Sequence, residues 1–98
     1  MYAVIFTAEI GFLDEQYYEK SKMIREIAFN QYHCQSYNST FEGNTEITVS
    51  YWNSLDDIKN FKNDSDHQEA QMVGKSKWYK SYSVEVTKVI RQYSYNNS

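Results

Sequence analysis

The segment Thr45–Trp52 constrains the fold most, because apolar and more polar side chains alternate along it. Its odd-numbered positions place apolar side chains on one face, namely Ile47, Val49 and Tyr51. Its even-numbered positions place more polar side chains on the other face, namely Thr48, Ser50 and Trp52. Side chains of a β-strand alternate with a period of two residues. The segment therefore predicts a strand in a sheet whose two faces differ.

The rest of the chain predicts further strands and helices in a definite order. Segments rich in β-branched and aromatic residues predict the other strands: Tyr2–Glu9, the edge strand Tyr32–Ser39, and Ser83–Tyr93. Segments with a helical repeat of apolar residues predict the helices: Asp14–Asn30, Ser54–Asn63 and Ser65–Tyr79. The segment Phe41–Asn44 has the turn chemistry of a hairpin. The order is βαββαβ, with the second helical region broken in two.

Two of these helices begin with a capping pattern. Ser54 is followed three residues later by Asp57, and Ser65 is followed three residues later by Gln68. Both spacings resemble a capping box, in which a serine side chain accepts a hydrogen bond from the helix backbone. We therefore expect Ser54 and Ser65 to cap their helices.

The order of elements indicates an α+β fold, namely a ferredoxin-like split βαβ unit with an antiparallel four-stranded sheet. The helices can cover only one face of this sheet. The other face is expected to carry about five apolar side chains from the first, third and fourth strands. At roughly 2 kcal/mol each, leaving them exposed would forgo ~10 kcal/mol, which rivals the stability of a small domain. The pattern predicts a homodimer that covers this face.

Composition excludes several classes of partner. The 98 residues fit one domain (1–98), with residues 93–98 as a polar C-terminal tail. The net charge of −3, with mixed signs, gives no basic stripe for nucleic acid. No apolar run approaches the ~20 residues of a membrane span, and the apolar start lacks a basic leader. The single cysteine, Cys34, indicates a reducing, cytoplasmic location and argues against a thiolate metal site.

The second half of the chain resembles a known family. The segments that carry the resemblance are Glu46–Trp52, Asp66–Tyr82 and Val84–Tyr93. They are similar to the antibiotic biosynthesis monooxygenase (ABM) domain family of the dimeric α/β-barrel superfamily. The resemblance covers essentially the whole chain and is strongest from Thr45 onward. It implies a homodimer whose two sheets form a barrel, with a pocket in each protomer between sheet and helices.

The resemblance also implies a range of functions. Family members include cofactor-independent monooxygenases acting on polycyclic phenols, haem-degrading enzymes and proteins without known activity. The haem-degrading branch has a tryptophan where this chain has Phe61, and its haem-ligating histidine where this chain has Gln71. It also has an asparagine on the first strand, near Phe6 and Thr7 of this chain. All three are absent, so we expect neither haem nor another bound cofactor.

Several residues of the second half are candidates for a site. His67 is the candidate catalytic base, because it lies on the same side of its helix as Gln71 and Trp78. The residues predicted to bind a flat aromatic ligand are Tyr51, Trp52, Gln71, Trp78 and Tyr82. The alternative for His67 is a structural role at the helix start. The alternative for Trp52 and Trp78 is packing of helix against sheet.

Two functions follow from these candidates. One is a cofactor-independent monooxygenase that acts on a small aromatic substrate of the phenolic or polyketide type. The other is a non-catalytic, small-molecule-binding or stress-related dimeric α/β-barrel protein. A pocket for passive binding would need similar residues, so the sequence leaves both open.

Overall fold

The structure is a computed structural model that describes residues 1–97. Ser98, the last residue of the predicted tail, lies outside the described residues. The strands are β1 (Tyr2–Ile10), β2 (Ser36–Glu42), β3 (Thr45–Trp52) and β4 (Tyr79–Lys88). The helices are α1 (Glu15–Tyr32), α2 (Leu55–Lys62) and α3 (Ser65–Val73), and a π-helical turn follows α3 (Gly74–Trp78).

The four strands form one antiparallel sheet in the order β2-β3-β1-β4. This order and the helices between the strands confirm the predicted ferredoxin-like α+β fold. The helices pack on one side of the sheet, which we call the inner face; the other side is the outer face. The core lies between the inner face and the helices, and its buried members are Ile24, Ala28, Cys34, Trp52 and Phe61.

The strand β3 has the predicted alternation, and the structure assigns a side to each set. The even-numbered residues face the helices and are buried: Glu46, Thr48, Ser50 and Trp52. The odd-numbered residues lie on the outer face and are partly exposed: Thr45, Ile47, Val49 and Tyr51. The more polar side of β3 is therefore the side that the helices cover.

The outer face differs from the expectation in one respect. Its apolar side chains come from β1 and β3 only, namely Ala3, Ile5, Ile47, Val49 and Tyr51. The fourth strand was also expected to contribute, and this was wrong. The β4 residues that pair across from Ala3, Ile5 and Thr7 are Thr87, Glu85 and Ser83, all polar and exposed.

One of the two predicted caps is confirmed. The Ser54 hydroxyl accepts from the Asp57 backbone N–H at 3.1 Å. The Ser65 cap was wrong, because α3 is capped one residue earlier by Asp64. The Asp64 carboxylate accepts from the backbone N–H groups of Asp66 and His67 at 2.9 and 3.2 Å. A carboxylate at this position also complements the helix dipole, which a serine does not.

The bounds of β2 differ from the prediction Tyr32–Ser39. Tyr32 is instead the last residue of α1, and His33 ends that helix in the left-handed conformation at φ 63°. The strand then runs to Glu42, because Phe41 and Glu42 pair with Glu46 and Thr45 of β3. The hairpin turn is reduced to the residues between them, with Gly43 at φ 59°.

The bounds of β4 were also wrong by several residues. The helix predicted to reach Tyr79 ends at Val73, and the π-helical turn leads directly into the strand. The backbone N–H of Tyr79 bonds to the carbonyl of Gly74, where a Cβ atom would lie 3.0 Å from the Tyr79 ring. At its other end β4 stops at Lys88, which pairs with Tyr2. Since β1 is the only neighbour of β4, the strand ends where β1 begins.

The structure also bears on membrane and metal binding. Among residues 1–97, no helix has the length and apolar character needed to cross a membrane. Within the same range, no three His, Cys, Asp or Glu side chains come together as a metal site.

The thiol of Cys34 is buried and lies 3.2 Å from the Ser36 carbonyl. Burial raises the pKa of this thiol, so it is a packing residue and not an activated nucleophile.

Candidate functional site

A cavity of about 760 Å³ lies between the inner face and the helices. Its floor is formed by inward-facing side chains that the strand register arranges in rows across the sheet. The first row is Tyr37, Ser50, Val4 and Val86; the second is Ser39, Thr48, Phe6 and Val84; the third is Phe41, Glu46 and Tyr82. Val84 and Val86 are 45% and 50% exposed, so the cavity is open to solvent along β4.

The floor has a polar stripe along β3. Glu46, Thr48 and Ser50 are only 3%, 8% and 4% exposed. The Thr48 hydroxyl pairs with that of Ser39 at 2.7 Å, and the Ser50 hydroxyl accepts from the Trp52 indole N–H at 2.9 Å. Buried polar groups are costly unless they are hydrogen-bonded, and these are. The stripe therefore places hydroxyl and carboxylate groups on the cavity floor among valine and aromatic side chains.

Glu46 is the most unusual residue of this stripe, because it is an acid inside the protein. The Tyr17 hydroxyl, from α1, donates to Glu46 Oε1. The Tyr79 hydroxyl, from the start of β4, donates to Oε2 at 3.1 Å. Within residues 1–97 the ion pairs involve Lys20, His33 and Lys77, and none reaches Glu46. Two phenols thus replace the cation that usually accompanies a buried carboxylate.

The titration of this cluster follows from its burial. Burial raises the pKa of Glu46, and the hydrogen bonds from Tyr17 and Tyr79 only partly oppose that shift. Burial, together with the neighbouring carboxylate, raises the pKa of both phenols. Both tyrosines therefore remain protonated donors, and Glu46, whose pKa lies above its ordinary value, is the member of this cluster that can exchange a proton with a ligand.

The Glu46 cluster was not among the predicted site residues. Its three members are far apart in the sequence, and each has an ordinary local context. One signal was available: Glu46 shares the even-numbered positions of β3 with Trp52, which was expected to pack against the helices. A glutamate on that side of the strand had to be buried.

The predicted base His67 lies at the start of α3 and lines the cavity. Its Nδ1 atom lies 3.0 Å from the carbonyl oxygen of Phe61, and its ring stacks on the Phe61 ring at 4.3 Å. Burial lowers the pKa of the imidazole, so it is neutral at pH 7. A neutral ring that donates from Nδ1 has Nε2 as an acceptor. His67 thus has a structural contact and retains one nitrogen for a ligand.

The structure brings most of the predicted binding residues to the same cavity. Trp52, Gln71, Trp78 and Tyr82 all line it together with His67. Trp52 is fully buried and packs on Phe61 at 5.2 Å between ring centroids. Trp78 is 3% exposed and its indole N–H donates to the Asp14 carboxylate at 3.1 Å. Both tryptophans therefore hold helices against the sheet and also form cavity wall.

Tyr51 is the exception among the predicted binding residues. It lies next to Trp52 on β3 but faces the opposite way, and it pairs with Ala3 and Ser36 on the outer face. A strand cannot direct two successive side chains to the same face. Tyr51 is therefore outside the cavity, and its inclusion with Trp52 was inconsistent with the predicted alternation.

The charged residues that line the cavity are mostly basic. They are Lys20, Lys22, Arg25, Lys62 and Lys75, and Glu46 is the acidic residue among them. Lys20 is paired with Glu69 at 3.1 Å, and the Arg25 side chain bonds to the Tyr37 carbonyl at 3.3 Å. The whole chain carries a net charge of −3, so this concentration of positive charge is local. It favours an anionic ligand over a cationic one.

The chain is similar in sequence to a known bacterial protein, although no family model matches it. The chain is 39% identical over 92 residues to the uncharacterized protein YqjZ of Bacillus subtilis strain 168, covering 93% of this chain and 81% of YqjZ.

Solved structures with this fold have much lower sequence identity. SnoaB, a cofactor-independent oxygenase from Streptomyces nogalater, superposes with a TM-score of 0.78 at 5% identity, covering 93% of this chain and 94% of SnoaB. An antibiotic biosynthesis monooxygenase superposes with a TM-score of 0.68 at 12% identity, covering 93% of this chain and all of the other. The chain therefore belongs to one family with YqjZ, and its fold is that of the ABM domain, as the resemblance predicted.

Proposed function

We propose that this protein is a cofactor-independent monooxygenase that oxidises a small, electron-rich phenol. The observation that carries the proposal is the cavity on the inner face, with its aromatic walls and its buried hydrogen-bonding floor. A cavity of about 760 Å³ falls within the range of small-molecule sites, roughly 300–1,000 Å³. It is large enough for a fused-ring aromatic compound.

The walls suit a flat ligand. Phe6, Tyr79 and Tyr82 form an aromatic cluster on the β4 side, with ring centroids 5.4–6.1 Å apart. Trp52 of β3 and Phe61 of α2 form a second aromatic cluster. Aromatic rings pack edge-to-face or with an offset against other rings. A planar substrate between the two clusters would have ring contacts on both sides and hydroxyl groups below it.

The charges of the cavity suit the first chemical step. Oxidation of a phenol by O₂ without a cofactor begins with loss of the phenol proton, because the anion gives up an electron more readily. The basic residues that line the cavity lower the free energy of that anion. The carboxylate of Glu46 has a raised pKa, which suits a proton acceptor.

The overall reaction needs no external reductant. A phenol with a free para carbon loses its O–H proton, and the anion transfers one electron to O₂. The resulting radical pair combines at the para carbon to form a C–O bond. The peroxide then loses water as the para C–H bond breaks, which gives a para-quinone. One oxygen atom of O₂ enters the product, the other leaves as water, and the substrate supplies all the electrons.

The test uses 1-naphthol, which would give 1,4-naphthoquinone and water. We expect saturable formation of quinone, with one O₂ consumed per quinone and no hydrogen peroxide. The Val84→Trp variant would fill the open part of the cavity and should abolish saturable turnover. The same tryptophan at exposed Gln31 on α1 is the matched control and should leave turnover unchanged. Saturable binding without any quinone would contradict the oxygenase and favour the non-catalytic binding protein.

The outer face supports a proposal about assembly. Four of its apolar side chains from β1 and β3 remain partly exposed on one chain, namely Ile5, Ile47, Val49 and Tyr51. We propose that a second copy covers them, so that the protein is a homodimer with the two sheets face to face. An apolar face of this kind is unusual on a stable monomer.

A cytoplasmic location, expected from the single cysteine, remains a prediction.

A further inference from the structure

Glu46 is costly to keep where it is. The residue is 3% exposed, no basic side chain pairs with it within residues 1–97, and its neighbours across the sheet are Ala8 and Phe41. An apolar side chain would pack at this position without the desolvation that a carboxylate suffers. A buried, unpaired acid that lines a cavity is a feature of functional sites.

We propose that Glu46 is the catalytic base that accepts the phenol proton of the substrate, and that Tyr17 and Tyr79 are positioning residues which hold its carboxylate. This inference rests on the proposed function and adds the group that starts the reaction. Glu46, not the histidine expected from the sequence, is the residue assigned to this step.

The geometry favours Glu46 over His67 for this role. His67 uses Nδ1 to hold the Phe61 carbonyl, and its ring is stacked, so it has one free nitrogen in a fixed direction. The carboxylate of Glu46 has two oxygens, each with more than one lone pair. Tyr17 donates to Oε1, and Tyr79 donates to Oε2 at 3.1 Å and lies 3.5 Å from Oε1, so the two phenols use only part of the acceptor capacity of a carboxylate that lines the cavity.

Proton transfer would conserve the charge of the site. The O–H bond of the substrate breaks, the proton moves to a carboxylate oxygen of Glu46, and the negative charge moves to the phenolate oxygen. Tyr17 and Tyr79 stay protonated, because burial and the carboxylate raise the pKa of each. When the peroxide breaks down, Glu46 returns its proton to the departing oxygen, the para C–H bond supplies the second proton, and the oxygen leaves as water. The carboxylate is then restored for the next turnover.

The pH dependence follows from the groups around Glu46. Turnover requires the carboxylate form, so kcat falls as the pH drops through the pKa of Glu46, which burial raises above its ordinary value. Tyr17 from α1 and Tyr79 from β4 do not titrate in this range. Tyr37 from β2, whose pKa burial raises to about 12, does not either. His67 from α3 and the basic residues of the lining share the cavity, so a variant must identify the acid limb.

The experiment compares Glu46→Gln with the wild type. Glutamine keeps the shape and can still bond to both phenols, but it cannot accept the proton. We expect kcat for 1-naphthol to fall by roughly 10²–10⁴-fold, with the acid limb lost and the dissociation constant of the ligand changed only a few-fold. Glu42→Gln, the same change at an exposed position of β2, should leave kcat unchanged. An unchanged kcat and acid limb in Glu46→Gln would overturn the inference and leave the oxygenase standing.

A second measurement tests Glu46 without turnover. 4-Nitrophenol absorbs differently when it is ionised, so its protonation in the cavity can be seen directly. At a pH below the probe's own pKa, we expect the wild type to bind it as the phenolate with no proton released to the buffer, because Glu46 takes the proton. Glu46→Gln keeps the basic lining, so it should bind either the phenol or a phenolate whose proton is released, which calorimetry in buffers of different ionisation enthalpy detects. This result with no oxidation of 1-naphthol would contradict the oxygenase but support the proton acceptor. The same spectrum and the same proton release in the two proteins would overturn the role of Glu46.

Thermal unfolding separates catalysis from structure. Because burial raises the pKa of Glu46 in the folded state, its carboxylate form lowers stability above its ordinary pKa. Glu46→Gln should therefore have an equal or higher Tm at pH 7, and this advantage should shrink as the pH falls towards the ordinary carboxyl pKa. A large loss of Tm at pH 7 would show that Glu46 is structural and would overturn the inference.

Discussion

The two faces of the sheet use their side chains in opposite ways. The inner face, which the helices cover, carries the buried polar residues Glu46, Thr48 and Ser50. The outer face, which no helix of residues 1–97 covers, carries apolar residues such as Ile47 and Val49. A strand that only packed against helices would show the reverse, with apolar residues inside and polar residues outside.

This inversion indicates what each face is for. Buried hydroxyl and carboxylate groups are costly as packing material but useful as partners for a ligand. Exposed apolar side chains are costly in water but useful as partners for another apolar surface. On the two proposals above, the same strand, β3, would meet a ligand with one set of side chains and a second copy with the other set. The predictions below test each side independently.

The largest effect is expected on the outer face, from Val49→Lys. Covering a valine side chain is worth roughly 1.5–3 kcal/mol, and a symmetric dimer contains each substitution twice. The dimer should therefore weaken by about 3–6 kcal/mol, or roughly 10²–10⁴-fold in dissociation constant. Sedimentation equilibrium at micromolar concentration would measure this change.

The matched control places the same charge elsewhere. Gln31→Lys adds a lysine at an exposed position of α1 and should sediment like the wild type. If Val49→Lys also sediments like the wild type, the outer face is not the dimer interface. If the wild type itself is a monomer at this concentration, the homodimer proposal is wrong.

The next largest effect is expected in the core between the inner face and the helices, from Phe61→Ala. Phe61 is 7% exposed and its ring contacts those of Tyr32, Trp52 and His67. Removing a buried phenylalanine side chain typically costs about 3–5 kcal/mol. We expect a loss of this size in the free energy of unfolding, measured by urea denaturation. Phe12→Ala is the control, because Phe12 is 66% exposed, and it should cost well under half as much.

The sequence predicted the fold well because the fold depends on periodicity. The alternation of Thr45–Trp52 and the order of elements were sufficient to give the sheet and its helices. The errors fell at element ends, where tertiary contacts decide the outcome. Asp64 displaced Ser65 as a cap, and β4 took its bounds from its pairing with β1.

The candidate site was only partly predictable, for a different reason. His67, Gln71 and Trp78 share one side of a continuous stretch of chain, so helical spacing could bring them together. Glu46 meets Tyr17 and Tyr79 across three separate elements, and no local pattern encodes that meeting. The sequence carried only the hint that a glutamate lay on the buried side of β3. Tyr51 is the converse case: its residue type suits a binding site, but the alternation of β3 places it on the outer face.

The smallest effect is expected from His67, which both lines the cavity and packs on Phe61. His67→Ala removes the hydrogen bond to the Phe61 carbonyl and the stacked ring. We expect a loss of about 1–2 kcal/mol, seen as a Tm lower by several degrees. His67→Asn can keep a donor near the position of Nδ1 and should recover part of this loss. A Tm unchanged in both variants would show that the contact with Phe61 contributes nothing.

The pH dependence of this loss tests the state of the imidazole. Burial lowers the pKa of His67 in the folded protein, so the folded state favours the neutral ring. The wild type therefore loses stability as the pH falls from about 6.5, the ordinary histidine pKa, towards the lower folded value. His67→Ala has no such group, so the gap in Tm between the two proteins should narrow between pH 7.5 and pH 5. A gap that widened on acidification would mean that the folded protein holds the charged imidazolium, and Nε2 would then be a donor to the ligand instead of an acceptor.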